Sequence, residues 1–304
     1  LKDVFSLYDI KISEKIRQGK DKDWYKYVNP ILHYSDIHIG NQSKEYLLIV
    51  KNNFDSSLLK EMKERKEEVK KRNKDVKNSN QDVITQDKES LVMLFYYYNS
   101  FVKVLEFLER NSLVSLSCKI ENVELDMRNH SLILGGRFYA VNDYDYMEIL
   151  LLNMQREMTG LDALSTHVLN TLLLSGSGSS IISLSANNIE EICTAFIAKL
   201  ECLNLFSKEY LKEYKRVCVF SLHPFINKPK QFIISELCKK EVLYLGDHFS
   251  ANIMFLICLY YLFDLTNGSV DESNNILMHM ISKFKHVLLD NIMQNKKLEV
   301  LTFC

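Results

Sequence analysis

Three prolines and nine glycines are all that 304 residues contain. That scarcity excludes an all-β protein with many tight turns, and it excludes low-complexity or collagen-like chains. Net charge is scarce too, since 38 basic side chains against 39 acidic ones leave −1 at neutral pH. There is no global positive field for nucleic acid and no acidic tail. The seven cysteines, at positions 118, 193, 202, 218, 238, 258 and 304, are odd in number and never form a CxxC pair. Such scatter excludes a zinc ribbon and points to free thiols in a reducing compartment. No strongly apolar run reaches the ~18 residues of a bilayer span. The longest, Ala251 to Phe263, reads as a buried helix, so no membrane span is expected. No signal peptide is visible after Leu1.

What the chain does have is core material. It is 47% hydrophobic with 16 Phe and 16 Tyr, which excludes disorder over most of its length. The length suits one large domain or two modest ones.

Searches for chemistry return little. There is no GxxxxGK[ST] phosphate loop, no GxGxxG, no HExxH and no GxSxG elbow. The Gly/Ser stretch 175–180 lacks the lysine of a phosphate loop and reads as a connector. The eight histidines are dispersed. Asp143 and Asp145, two apart, have the spacing to share a metal, but loop acids of this kind are the simpler reading.

Periodicity divides the chain. Residues 1–29 are mixed, with one helix expected around Ser13 to Gln18. Two apolar runs, Ile31 to Ile39 and Glu45 to Val50, flank the turn chemistry of Gly40-Asn41-Gln42-Ser43 and predict an antiparallel hairpin. Lys60 to Lys77 carries nine basic residues against five acidic ones. Pairs such as Glu67/Lys71 and Glu68/Arg72 predict a solvated helix there, running into a mobile polar loop over 73–88. A polyanion contact on that helix is the only nucleic-acid reading the sequence offers, and it is disfavoured.

Glu89 to Arg110 predicts a long helix, apolar all round over Leu91 to Tyr98 and therefore central. Ile120, Val123 and Leu125, a turn at Arg128-Asn129-His130, and Ser131 to Leu134 predict a second hairpin. From Tyr144 onward the pattern is helical, with breaks at 175–180, at Asn227-Lys228-Pro229 and at Thr266 to Ser269. The expected fold class is therefore α+β, mainly helical.

The order of these elements resembles a protein kinase from its fourth strand onward. Asn29-Pro30-Ile31-Leu32 and Tyr46 to Leu58 look like strands four and five, the hinge and the next helix. Glu89–Arg110 resembles the helix leading to the catalytic loop. Ser115-Leu116-Ser117-Cys118-Lys119-Ile120-Glu121-Asn122-Val123 then resembles HRDxKPENI, and Leu132-Ile133-Leu134-Gly135-Gly136 falls where L-I-D-F-G is usual. Gly246-Asp247-His248-Phe249-Ser250 looks like the D-x-[YW]-S segment, and Asn291 to Thr302, with Lys297, is similar to the closing helix. Leu184-Ser185, Asn187 to Ile192 and the Lys/Asn/Ile-rich composition narrow the likeness to serine/threonine kinase-like proteins of large nucleocytoplasmic DNA viruses.

The resemblance implies a large helical C-lobe over 89–304, a charged helix and loop over 57–88, and a reduced or truncated N-lobe with a β-hairpin over 1–56. It also exposes departures. Ser117 stands where the catalytic Asp would orient the hydroxyl, and Leu134 where an Asp would hold magnesium against the phosphates. Lys119 and Asn122 match the family but have no metal–phosphate assembly to complete. No glycine-rich loop or strand lysine precedes Asn29. Either that front lies upstream of Leu1 or the protein dispenses with it. Lys11 is the one candidate remnant of the lysine, with an ordinary exposed side chain as its simpler reading.

The implied function is a catalytically inactive pseudokinase scaffold without cofactor. Its partners are expected to be proteins, in a virus particle or the host cytoplasm, with no small-molecule substrate. One alternative is an atypical kinase or nucleotide-binding enzyme using ATP and Mg²⁺ with Asp126, Asp143 or Asp145 as substitute carboxylates. The other is an unrelated helical interaction protein.

Overall fold

The computed structural model describes residues 4–38, 45–54, 56–75, 80–116, 118–126, 128, 131–141, 150–152, 154–174, 183–263 and 276–301. The fold is mainly helical with small antiparallel sheets, as the periodicity indicates. The first helix, α1 (Val4–Gln18), starts well before the expected Ser13. Its buried Tyr8, Ile12 and Ile16 recur every four residues and give it one apolar face. Lys11 is exposed on this helix, so it is no strand lysine.

The first hairpin pairs β1 (His33–His38) with β2 (Glu45–Val50), in register from His33–Val50 to His38–Glu45. Its turn, 40–43, lies outside the described residues. A short β3 (Ser56–Ser57) leads into α2 (Leu58–Asp75), whose buried Leu58 and Met62 anchor an otherwise charged helix. Among its i,i+4 pairs are Lys60–Glu64 and Glu61–Arg65, exposed or half-exposed and worth only tenths of a kcal/mol each, roughly.

The long helix α3 spans Asn80–Arg110, so the expected loop over 73–88 is helical at its end and only 76–79 lie outside the description. Phe101, Val104, Leu105, Phe107 and Leu108 are fully buried along it. The run 91–98 is not buried all round, because Val92 is 66% and Tyr96 54% exposed.

The second hairpin is β5 (Val123–Asp126) with β6 (Ser131–Leu134), and β3 pairs with β5 to make three strands. Ahead of it, β4 (Leu113–Val114) pairs with β7 (Tyr139–Ala140). The helices α4 (Leu164–Leu174), α5 (Ala186–Glu201), α6 (Lys208–Leu222) and α7 (Lys230–Leu237) follow. A capping box between Ser185 and Asn188 starts α5. The predicted break at 227–229 is real, with Asn227 in the left-handed region and Pro229 capping α7. The predicted breaks at 175–180 and 266–269 lie outside the described residues.

α8 (Lys240–Phe263) is the axis of the fold and packs on α2, α3, α4 and α9 (Ile276–Gln294). Both α8 and the 88–110 part of α3 are long and apolar enough to cross a bilayer, but 83% and 61% of their apolar windows are buried inside the protein. One core runs from Tyr8 to Leu298.

The chain after α9 differs from expectation. The helix stops at Gln294, and 296–301 is irregular, so of the closing helix expected over Asn291 to Thr302 only 291–294 are helical among the described residues. Asn295 takes φ +48, while Lys296 N–H donates to Asn291 O and Asn295 N–H to Ile292 O. Those paired bonds are a Schellman stop.

Candidate functional site

The loop 115–122 is in contact with α8 and with the end of β6. It is anchored from α8. The Asp247 carboxylate accepts the backbone N–H of Ser115 (2.8 Å) and of Leu116 (2.7 Å). Leu116 sits at φ +56, a left-handed conformation that costs a branched aliphatic residue about 1–2 kcal/mol. The two charge-assisted bonds offset that strain. Asp247 is fully buried, and burial pushes its carboxyl up to about 7, against the pull of the two N–H donors. The adjacent Cys118 thiol is raised as well, by burial first and the nearby carboxyl second.

A polar cluster beside Asp247 ties the chain's last described segment to this hub. His248 Nδ1 accepts Leu298 N–H at 3.0 Å, so Nε2 carries the proton toward Glu109 Oε1 at 2.9 Å. Lys297 Nζ reaches the other Glu109 oxygen at 2.5 Å. Burial holds the His248 pKa down, while Lys297 and His248 together outweigh burial and lower that of Glu109.

Ser117 lies outside the described residues, between the buried Leu116 and Cys118. Lys119 is half-exposed at the start of a single 3-10 turn, Ile120–Asn122, and does not cap it with its side chain. Asn122 is held through its backbone, donating to Lys119 O at 2.9 Å and accepting Gly135 N–H at 2.7 Å.

Leu134 is a core residue of the hairpin. It is fully buried, lies opposite Val123 in the hairpin, and exchanges backbone bonds with Tyr27 O and Asn29 N. One residue of register decides the matter: the position opposite Asn122 is Gly135. A Cβ there would meet Asn122 O at 3.2 Å and a Glu124 oxygen at 3.6 Å. Next to it Gly136 takes φ +95, with the Asn122 side-chain amide 3.4 Å from where its Cβ would be.

Glu124 and Asn29 are the residues that sequence reasoning missed. Val123 and Leu125 point inward, so the alternation of a strand turns Glu124 to the opposite face, toward Gly135. Its carboxylate accepts Asn29 Nδ2 at 2.7 Å, and the same amide nitrogen donates to Asn52 O at 3.1 Å. Asn29 thus ties β5 to the segment after β2. Burial raises the Glu124 pKa, with the Asn29 bond and the Lys51 charge opposing. The available signals were the odd carboxylate in Val-Glu-Leu-Asp and the Asn-Pro that begins the first hairpin.

Of the substitute carboxylates, Asp126 accepts Arg128 N–H at 3.0 Å, inside its own turn. Asp143 and Asp145 lie outside the described residues. Among the described residues no group of three or more His, Cys, Asp or Glu side chains has metal-binding geometry. No protein-family model, curated protein or solved structure matches the chain.

Proposed function

We propose that the chain is a kinase-like protein that binds partners and does not transfer phosphate. The observation that carries this reading is the pair Asn122 and Gly135. Phosphoryl transfer relies on positioning and on metal ions that neutralise charge on the transferring group. Here the residue facing the loop asparagine has no side chain, and its neighbour Leu134 is committed to the core. The nearby Glu124 carboxylate already accepts the Asn29 amide at 2.7 Å, and a carboxylate engaged in this way is less free to hold a hard cation.

The kinase-like part of the proposal draws support from contact between segments far apart in sequence. Asp247 of the Gly246–Ser250 segment binds the backbone of the 115–116 loop, and the 123–134 hairpin follows that loop directly. On this reading the partners are proteins, of a virus particle or of the host cytoplasm.

A second reading, an atypical kinase or nucleotide-binding enzyme, is favoured by one observation: Glu124 lies beside Gly135, near the Asn122 backbone. Incubation of the purified chain with labelled ATP, Mg²⁺ and generic protein substrates separates the two. Scaffold function predicts no transfer above background. Metal-dependent phosphorylation that is lost in both Lys119→Ala and Glu124→Gln establishes the enzyme instead.

A further inference from the structure

We propose that the open cavity lined by the α5–α6 turn, α6, α8 and α9 is a binding site for an aromatic carboxylate. The cavity measures about 540 Å³, within the range of pockets that hold small ligands. Its wall combines aromatic rings with polar groups. The Phe206 and Tyr210 rings stack 5.3 Å apart at 15°. Tyr260 forms a third face. Tyr260 O–H donates to Leu205 O and Tyr210 O–H to Leu289 O, both at 2.8 Å. With their hydroxyls occupied, the two tyrosines are fixed and present ring surface to the cavity.

Three side chains at the cavity, Lys285, Ser207 and Asn204, can donate a hydrogen bond. Lys285 is half-buried, with its ammonium 5.0 Å from the Tyr260 ring centre, and it forms no ion pair among the described residues. A cation that has lost part of its hydration and gained only a ring face is short of an anion. Ser207 Oγ accepts Tyr210 N–H as the cap of α6, which leaves its own proton to donate. Asn204, held at φ +54 in the turn, brings a side-chain amide whose described bond is a long 3.5 Å contact to Cys202 O.

One ammonium and two neutral donors beside aromatic faces match a single carboxylate carried on a ring. A lone lysine is a point charge without the fork of an arginine, which disfavours a phosphate dianion. The ligand chemistry has two sources, a free aromatic acid or the C-terminal Phe or Tyr of another polypeptide. The site shares no residue with the 115–135 loop region, so it stands apart from the kinase-like reading.

Isothermal titration of the whole chain with 3-phenylpropionate at pH 7.5 tests the proposal, with 3-phenylpropanamide as its neutral twin. Saturable one-to-one binding is expected, weakened at least tenfold for the amide and at least tenfold by Lys285→Met. A Lys103→Met control, in a different surface depression, leaves affinity within twofold. Absence of saturable binding, or equal affinity for acid and amide, overturns the proposal. So does an unchanged affinity in a folded Lys285→Met variant. A third titrant, acetyl-Gly-Gly-Phe with a free carboxylate, distinguishes the sources. Binding tenfold tighter than phenylpropionate assigns the site to chain ends, and binding no tighter assigns it to free acids.

Discussion

Asp247 receives the backbone N–H of Leu116 at 2.7 Å across 131 residues of sequence, and with it holds a leucine in the left-handed region of backbone space. Removing the carboxylate leaves two buried N–H groups without an acceptor and releases the strained turn. Asp247→Ala is therefore expected to lose about 2–5 kcal/mol of stability. Urea unfolding followed by circular dichroism measures it, and a loss below 1 kcal/mol, roughly, would show that the turn holds without its anchor.

The same carboxyl has an unusual pH signature. Burial raises its folded pKa to about 7, whereas the ordinary value is 3.8. Between those two values the folded chain keeps a proton that the unfolded chain has released, so this group favours folding most at low pH. Its contribution declines as pH rises through that window and levels off above about 7. The stability of the wild type relative to Asp247→Asn should therefore fall from about pH 4 to about pH 7, as Glu109 and His248 titrate in both proteins and largely cancel. A relative stability that stays constant or rises with pH contradicts it.

Gly160 has no room for a methyl group, because a Cβ there would lie 2.7 Å from Lys199 O and 2.9 Å from a Leu203 methyl. Backbone at the end of α5 cannot yield as a side chain would. Gly160→Ala is expected to cost about 1–3 kcal/mol, read as a lower thermal midpoint. Gly246→Ala, where the nearest group is an ordinary 3.7 Å from Ala163 Cβ, should be tolerated far better and serves as the control.

Asn29 and Glu124 should respond unequally. Asn29→Ala removes the amide that joins Asn52 O to Glu124 and is expected to cost about 1–3 kcal/mol. Glu124→Gln keeps an oxygen for Asn29 and deletes a half-buried charge that burial disfavours, so at pH 7 it should be as stable as the wild type or more so. Paired denaturant titrations check both, and a large loss in Glu124→Gln would mean that the charge itself is needed.

Local pattern was readable wherever one local rule acts alone. The 33–50 hairpin follows from two apolar runs and a turn, α5 from helical periodicity, and the 123–134 hairpin from alternation. What escaped depends on distance or on a single residue. A leucine and a glycine exchange places relative to Asn122 through one step of register that composition does not encode. The helix over 80–88 reads as a polar loop because its sequence has no apolar periodicity. The stop at Asn295 depends on a left-handed asparagine that the apolar pattern does not mark, and beyond it Leu298 is buried. Nothing local announced that Asn29 would meet Glu124, 95 positions away.

The front of the chain is woven into the rest. Val28 bridges to Leu134, β3 borders β5, Tyr8 O–H accepts Ala140 N–H, and Asp9 grips the Arg137 guanidinium. Cleavage between β2 and α2 would expose matching greasy surfaces on both fragments. Each alone would be sticky and poorly ordered, and they would regain structure only on being mixed. Such interlocking is expected to make the front segment unfold together with the sheet and helices it touches and not ahead of them.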